Sequence, residues 1–401
     1  MLNDSSATSS SAQTPAPGQQ PLRVILMLDT RVWAGTEAHV LSLARALKAL
    51  TAQKDERGVK VMVATMHDSV LWERARKDGL ATLSIARRGE WDPVTALVVA
   101  RRLRRGDADV VHVHNGRTAF WGALSVKLAG RGACVATQHF IEPARATAKG
   151  LKGRLQNAVH RVIEGGIAHH IAISHSVADA LLGRSDLAPE NVTVVHNGIE
   201  VPDAPACTDD LPDELRAEIA CIARLELEKD IPTLIHAVKV LNARRGAAKP
   251  VRCVIAGEGE QEGALKALVE KESVQSTVFL AGWITQAAGV LRASQVSVLP
   301  SIAEPFGLAV LEAMAQHKPV IAINVGGPPE IVREGETGLL VPAGDPNAMA
   351  DALETILDDP KRAEAMGKAG YERLRACFSA QSMARQTLAV YQTALEKSKK
   401  R

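Results

Sequence analysis

Four ionisable residues in the second half of the chain have the types and spacing to do chemistry together: Arg224, Lys229, Glu304 and Glu312. Arg224 and Lys229 bracket a short loop after an apolar run. A guanidinium and an ammonium placed there can neutralise a diphosphate leaving group. Glu304 and Glu312 repel phosphate but suit hydroxyls, one set on a sugar and one on a ribose. Between them Phe306, Gly307 and Leu308 bring free backbone N–H groups to the positive end of a helix. That helix is expected to begin near Phe306 or Gly307, with Pro305 at or just before its first turn, where a missing N–H does little harm. Singly, loop charges are usually solvated. In combination these groups describe a site for a nucleotide sugar.

Competing chemistries fit less well. Gly257-Glu-Gly259-Glu-Gln-Glu-Gly263 follows a strand and opens a helix, as a dinucleotide fingerprint would. Its spacing is GxGxxxG, three carboxylates crowd the phosphate position, and no acidic residue ends the next strand to hold a ribose. No DxD set suits a metal-held diphosphate, because Asp107-Ala-Asp109 leads into a strand. His114 and His139 end successive strands, where ligand groups gather in open α/β sheets. With no third ligand at metal spacing, zinc is disfavoured and no metal is expected. The five cysteines form no CxxC and read as reduced thiols.

The elements that must position these groups alternate in type. An apolar run (Leu22–Leu28) is followed by a loop through Gly35, which lets a ligand approach the backbone. An amphipathic helix comes next, with Thr36 as its expected N-cap. Further strand-like runs include Val59–Thr65, Asp109–His114, Cys134–His139 and Val192–Val195. Residues 201–213 are rich in Pro and Asp and read as a linker. A second alternation then runs through Glu218–Ala223, Arg252–Ala256, Val278–Leu280, Val296–Leu299 and Pro319–Ile323. Asp230 is the expected cap of the helix near Ile231. The 401 residues favour two or three domains. The expected fold class is α/β, with two doubly wound Rossmann-like domains facing one another across a cleft. Residues 1–20 are expected to be a disordered tail, 21–200 an acceptor-side domain, 214–375 a nucleotide-sugar domain and 376–395 a C-terminal helix.

Charge is unevenly spread. Residues 21–200 carry 25 Lys and Arg against 17 Asp and Glu, whereas residues 201–401 carry 23 against 27. A basic front half suggests an anionic acceptor or surface. Arg145, Lys149, Lys152, Arg154 and Arg161 could form a membrane-facing amphipathic helix or simply a solvated face. Aromatics at 3% argue against a nucleic-acid stacking platform. No secretory signal or spanning run is seen, so the expected location is cytoplasmic, with possible peripheral contact at the inner membrane face.

Arg224-Leu-Glu-Leu-Glu-Lys229, the Glu304–Glu312 segment containing EPFGL, and Gly326-Gly-Pro-Pro-Glu330…Gly338-Leu-Leu-Val-Pro342 resemble the family 4 retaining glycosyltransferases of the GT-B fold. Gly35-Thr-Glu37, Asp109–His114, Thr137-Gln-His139 and Val195-His-Asn-Gly198 match more loosely. The resemblance spans residues 22–395. It implies that Arg224 and Lys229 hold the donor diphosphate and that Glu312 binds the ribose. It implies that Glu304 and the amides of Phe306, Gly307 and Leu308 hold the sugar and nearby phosphate. Gly35 would approach the diphosphate, His139 would lie beside the sugar, and Trp283 would flank the nucleobase. Ala34 stands where the family often has a first glycine. The final helix, around Ser379–Leu395, would cross back onto the first domain.

The expected reaction is a metal-independent, retaining transfer from a nucleoside-diphosphate sugar, with a UDP-sugar as the expected donor, to a glycan or lipid-linked acceptor. No nucleophile is evident, so a same-face displacement is expected. The alternatives are a non-catalytic sugar-nucleotide-binding protein, a phosphorylase or an epimerase on the same fold.

Overall fold

A computed structural model describes residues 20–31, 33–50, 58–85, 89, 92–140, 163–183, 187–246 and 250–400. The expected tail (apart from Gln20) and the basic stretch from Arg145 to Arg161 lie outside these residues. Two parallel sheets carry the architecture. The first contains β1 (Leu22–Met27), β2 (Val59–Thr65), β3 (Ala81–Ser84), β4 (Val110–Val113), β5 (Ala133–Gln138), β6 (His169–Ala172) and β7 (Val192–Val194). The second contains β8 (Ile219–Ile222), β9 (Cys253–Ala256), β10 (Val278–Gly282), β11 (Val296–Leu299), β12 (Val320–Ile323) and β13 (Gly338–Val341).

Strand order is β3-β2-β1-β4-β5-β6-β7 in one sheet and β10-β9-β8-β11-β12-β13 in the other. Helices cover both faces of a parallel sheet, so its strands read as nearly unbroken apolar runs. β1, β4, β9, β11 and β12 show this directly. In each sheet the order reverses beside the first strand, at β1/β4 and at β8/β11. Loops leaving the carboxyl ends of strands at such a reversal diverge and open a crevice. The expected two-sheet α/β class is therefore what the chain forms.

Several expected boundaries move. The helix after β1 opens at Gly35, since the Ala38 N–H donates to the Ala34 carbonyl, so Thr36 is not its cap. The Glu37 carboxylate instead accepts from Ala34 N at 2.8 Å. Asp230 stands at the start of helix Ile231–Arg245 with φ 45°, and its carboxylate accepts from Thr233 Oγ1 rather than from a backbone amide. The helix after β11 is Leu308–Ala315, later than the expected Phe306 or Gly307, because Gly307 takes a left-handed φ of 109° that ends the loop.

The final helix, Ala380–Lys400, does lie against the first sheet. Met383, Ala384, Leu388, Tyr391 and Ala394 share a core with Leu22, Leu26, Val40 and Leu47. Ile199 N–H donates to the Phe378 carbonyl and Ala380 N–H to the Ile199 carbonyl, so the chain passes between the halves on two strands side by side.

A polar latch joins the halves beside this crossing. Glu330, from the second half, accepts from His175 N at 2.9 Å, Ser176 N at 3.2 Å and His196 Nε2 at 2.8 Å. The two amides open the helix His175–Leu182, where a carboxylate is favoured. Burial works against the charge, yet the hydrogen bonds from His196, His175 and Ser176 hold the carboxyl below its usual range. Its contribution is present at neutral pH and is lost as pH falls through that lowered value. Glu330→Ala is expected to cost about 1–3 kcal/mol, the scale of leaving buried donors unpaired. It should also widen the spread of interdomain angles, checked by chemical denaturation and small-angle scattering.

Candidate functional site

The β8/β11 crevice holds the strongest constellation. The chain leaves β8 through Arg224 and makes a single 3-10 turn, Leu227–Lys229, in what was expected to be a plain loop. It leaves β11 through Pro300 and Ser301 to Glu304. Lys229 Nζ and the Glu304 carboxylate meet at 2.5 Å, with side chains only 15% and 12% exposed. The Ile302 N–H donates to the Glu228 carbonyl at 3.0 Å, which ties the two loops together. Arg224 pairs with Glu228 at 2.9 Å on the open side of the crevice. An exposed pair of this kind is worth about 0–1 kcal/mol, so a diphosphate can draw the guanidinium away cheaply.

Two glycine pairs let these loops sit where they do. A Cβ on Gly327 would lie 2.3 Å from the Phe306 Cα, and one on Gly326 would lie 2.3 Å from the Glu304 carbonyl oxygen. Gly327 N–H also donates to that carbonyl at 2.8 Å. The Gly-Gly turn after β12 is thus the seat of the Glu304–Phe306 loop. Gly257 and Gly259, set aside as a dinucleotide fingerprint, press on the other loop. Added Cβ atoms would come within 1.9 Å of the Ala223 carbonyl oxygen and 2.3 Å of that of Leu225.

Glu312 is the fifth residue of its helix and its side chain reaches solvent. Protein encloses its carboxyl on the remaining sides, and the resulting desolvation pushes it up to about 7. The Phe306 side chain is buried, which leaves its backbone as the part available to a ligand. Trp283 follows β10 and is 62% exposed. It touches none of the charged groups above through any ring contact or hydrogen bond among the described residues.

Across the crevice, the first half brings Gly35 opposite Leu308, while His139 lies buried within its own half. A Cβ on Gly35 would lie 3.5 Å from Leu308 Cδ1, an ordinary contact, so the close approach of the halves here does not itself require glycine. The Ser174 hydroxyl donates to the Pro305 carbonyl at 2.7 Å and ties the first half to the Glu304 loop. His139 belongs to a buried group of four histidines. Its Nε2 stands 3.2 Å from His114 Nδ1. The His112 ring lies 4.2 Å from that of His114, and the His39 ring 4.7 Å from that of His139. His112 is locked by Tyr391 OH at 2.8 Å and Thr137 Oγ1 at 2.7 Å. Burial lowers all four, His39 to about 4, so the rings are neutral near pH 7.

Sequence reasoning paired His114 with His139 but missed His39, which arrives from the helix Gly35–Leu50. The available signal was a histidine on that helix's apolar face, adjacent to Val40 and one turn from Leu43. His39 supplies the third ligand at metal spacing that the sequence was expected to lack. Glu330 was noticed only as part of a motif, because its partners lie in the other half.

The two halves are matched separately by known families. The family model "Glycosyl transferases group 1" matches residues 210–373, and "Glycosyltransferase Family 4" matches residues 33–202. A glycogen synthase of Mycobacterium tuberculosis is 31% identical over 288 residues, 71% of this chain and 68% of that protein. An alpha-maltose-1-phosphate synthase of Mycolicibacterium smegmatis is 34% identical over 313 residues, 71% of this chain and 79% of that protein. Among solved structures, a glycosyltransferase from Rickettsia africae superposes with TM-score 0.76 at 19% identity, covering 94% of this chain and 99% of that one. Anabaena Alr3699/HepE, solved with UDP-glucose, does so with TM-score 0.74 at 18% identity, covering 93% and 100%. Both halves being matched, and relatives above 30% identity being spanned over most of their length, the chain belongs to the family 4 glycosyltransferases of the GT-B fold.

Proposed function

We propose that the chain moves a hexosyl unit from a nucleoside-diphosphate sugar to a glycan or lipid-linked acceptor, with retention at C1 and without a metal. The observation that carries this reading is the Lys229–Glu304 pair at the β8/β11 crevice, with Glu312 on the helix that follows. Lys229 and Arg224 take the diphosphate, Glu304 a sugar hydroxyl and Glu312 the ribose hydroxyls. The amides of Gly307 and Leu308 add donors at a helix start. UDP-sugars are the favoured donors, and the Anabaena neighbour's complex with UDP-glucose supports that choice.

Charge dictates the steps. The C1–O bond to the diphosphate breaks and its electron pair goes to the phosphate oxygen. Lys229, Arg224 and the helix start stabilise that charge. The acceptor oxygen bonds to C1 from the same face, and its proton passes to a leaving phosphate oxygen. His139 is neutral and therefore serves as a hydrogen-bonding neighbour of the sugar rather than as a cation.

A thermal-shift screen of UDP-, GDP- and ADP-sugars tests the reading, because a ligand bound only to the folded chain raises its melting temperature. The UDP-sugar shift should be larger at pH 8 than at pH 6. Ionised Glu312 offers both oxygens as acceptors, whereas its protonated form gives up part of that capacity. Without donor the trend reverses. A carboxyl raised in the fold costs stability as pH climbs from its ordinary value toward about 7. Glu312→Gln should flatten both trends. No shift with any sugar nucleotide would overturn the donor assignment.

A further inference from the structure

The buried histidines of the first half have more ring nitrogens than partners. His39 is 4% exposed and His114 2% exposed, yet both ring nitrogens of His39 and Nε2 of His114 lack a hydrogen-bond partner. Asn197 stands beside His39 as a weak polar neighbour, too poorly aligned for a well-formed hydrogen bond, and its Oδ1 also lacks one. Buried polar atoms left this way call for an ion or a water. One nitrogen each from His39, His114 and His139 lies within 4.8 Å of the others. The 3.2 Å between His114 Nδ1 and His139 Nε2 is close to the spacing, about 3.3 Å, of two imidazoles on one tetrahedral zinc.

We propose that His39, His114 and His139 bind a divalent transition-metal cation of the zinc class. Three imidazoles with no carboxylate disfavour Mg²⁺ and Ca²⁺, which take oxygen ligands. Only the tautomers change: with Nδ1 of His114 on the metal, its proton sits on Nε2, which has no partner in either state. His112, held by Tyr391 and Thr137, backs the triad and limits its movement. The second cluster, His175, His196 and Glu330, is a poorer candidate, because Glu330 already accepts three hydrogen bonds across the halves.

The test uses the full chain freed of metal by a chelator, with no sugar nucleotide present, so its outcome is independent of the donor reading. Co²⁺ is titrated for the visible absorption of a four-coordinate site, then displaced by Zn²⁺. One Zn²⁺ per chain is expected, with affinity at least tenfold weaker in His39→Ala and in the conservative His39→Gln, and unchanged in His175→Ala. Circular dichroism confirms that each variant is folded. Absence of stoichiometric binding, or wild-type affinity in folded His39 variants, overturns the site. The orphaned nitrogens would then hold an internal water only.

Discussion

Lys229→Ala is expected to lower kcat/KM at least about a hundredfold, the scale of removing one donor from a developing oxyanion. Glu304→Ala should cost a similar factor, for a different reason. Lys229 and Glu304 are 75 residues apart in sequence and form one ion pair, largely out of water. On the proposed roles, removing Lys229 would delete the phosphate's counter-charge and leave Glu304 facing that phosphate unneutralised. Removing Glu304 would delete the proposed sugar contact and free Lys229 to swing from its place. The two losses should not add. In the double variant neither orphaned charge remains, so its loss should be smaller than the product of the single ones. Steady-state kinetics of the cycle reads this directly. Near-normal turnover in both single variants would sink the assignment of the crevice as the donor site. Glu304→Ala should also cost about 1–3 kcal/mol of stability through the unpaired ammonium.

The second large effect comes from a residue with no side chain. Gly327→Ala would drive a methyl into the backbone of Phe306, at 2.3 Å from Cα, 2.6 Å from the carbonyl oxygen and 2.7 Å from N. Backbone on both sides leaves nothing flexible to give way, so the Glu304–Phe306 loop must shift. Overpacking of this kind costs about 1–3 kcal/mol. The larger consequence is for binding, since Glu304 and the Gly307 and Leu308 amides move together. Donor-induced stabilisation should disappear in Gly327→Ala while the chain still folds at 25 °C, as thermal shift and circular dichroism would show. Retention of the full donor shift would mean that the loop is not part of the site. The same substitution at Gly263, where an added Cβ meets nothing within 4 Å and φ is likewise not left-handed, is a control for the methyl alone.

Much of the fold was legible because parallel strands buried on both faces are written as continuous apolar runs. Leu22–Met27 and Val296–Leu299 could hardly be read otherwise. The loops that follow them were legible too, since Pro300, Pro305 and Gly307 break the runs. Helix starts were less so. Thr36 looks like a cap by residue type, but the backbone at Ala34 decided otherwise; Asp230 holds its expected N-cap position, with its carboxylate on the Thr233 hydroxyl rather than on a backbone amide. Capping depends on the φ and ψ of one residue, which its neighbours in the fold can override.

The sequence by itself determined the two strand–helix alternations, the loops carrying Arg224, Lys229 and Glu304, and the helix bearing Glu312. All of these follow from periodicity and from breakers acting over a few residues. Only the tertiary structure decided what meets what. Strand order put the β8 and β11 loops side by side and made an ion pair of Lys229 and Glu304. It turned Gly326-Gly327 into the seat of the Glu304–Phe306 loop and Gly257-Glu-Gly259 into packing against the loop that leaves β8. It brought His39 to His114 and His139, Tyr391 to His112 across 279 positions, and Glu330 to His196 in the other half. The physical reason is range. A local pattern sets which way a side chain faces, but its neighbour is set by the order in which strands pair and by where the chain turns back.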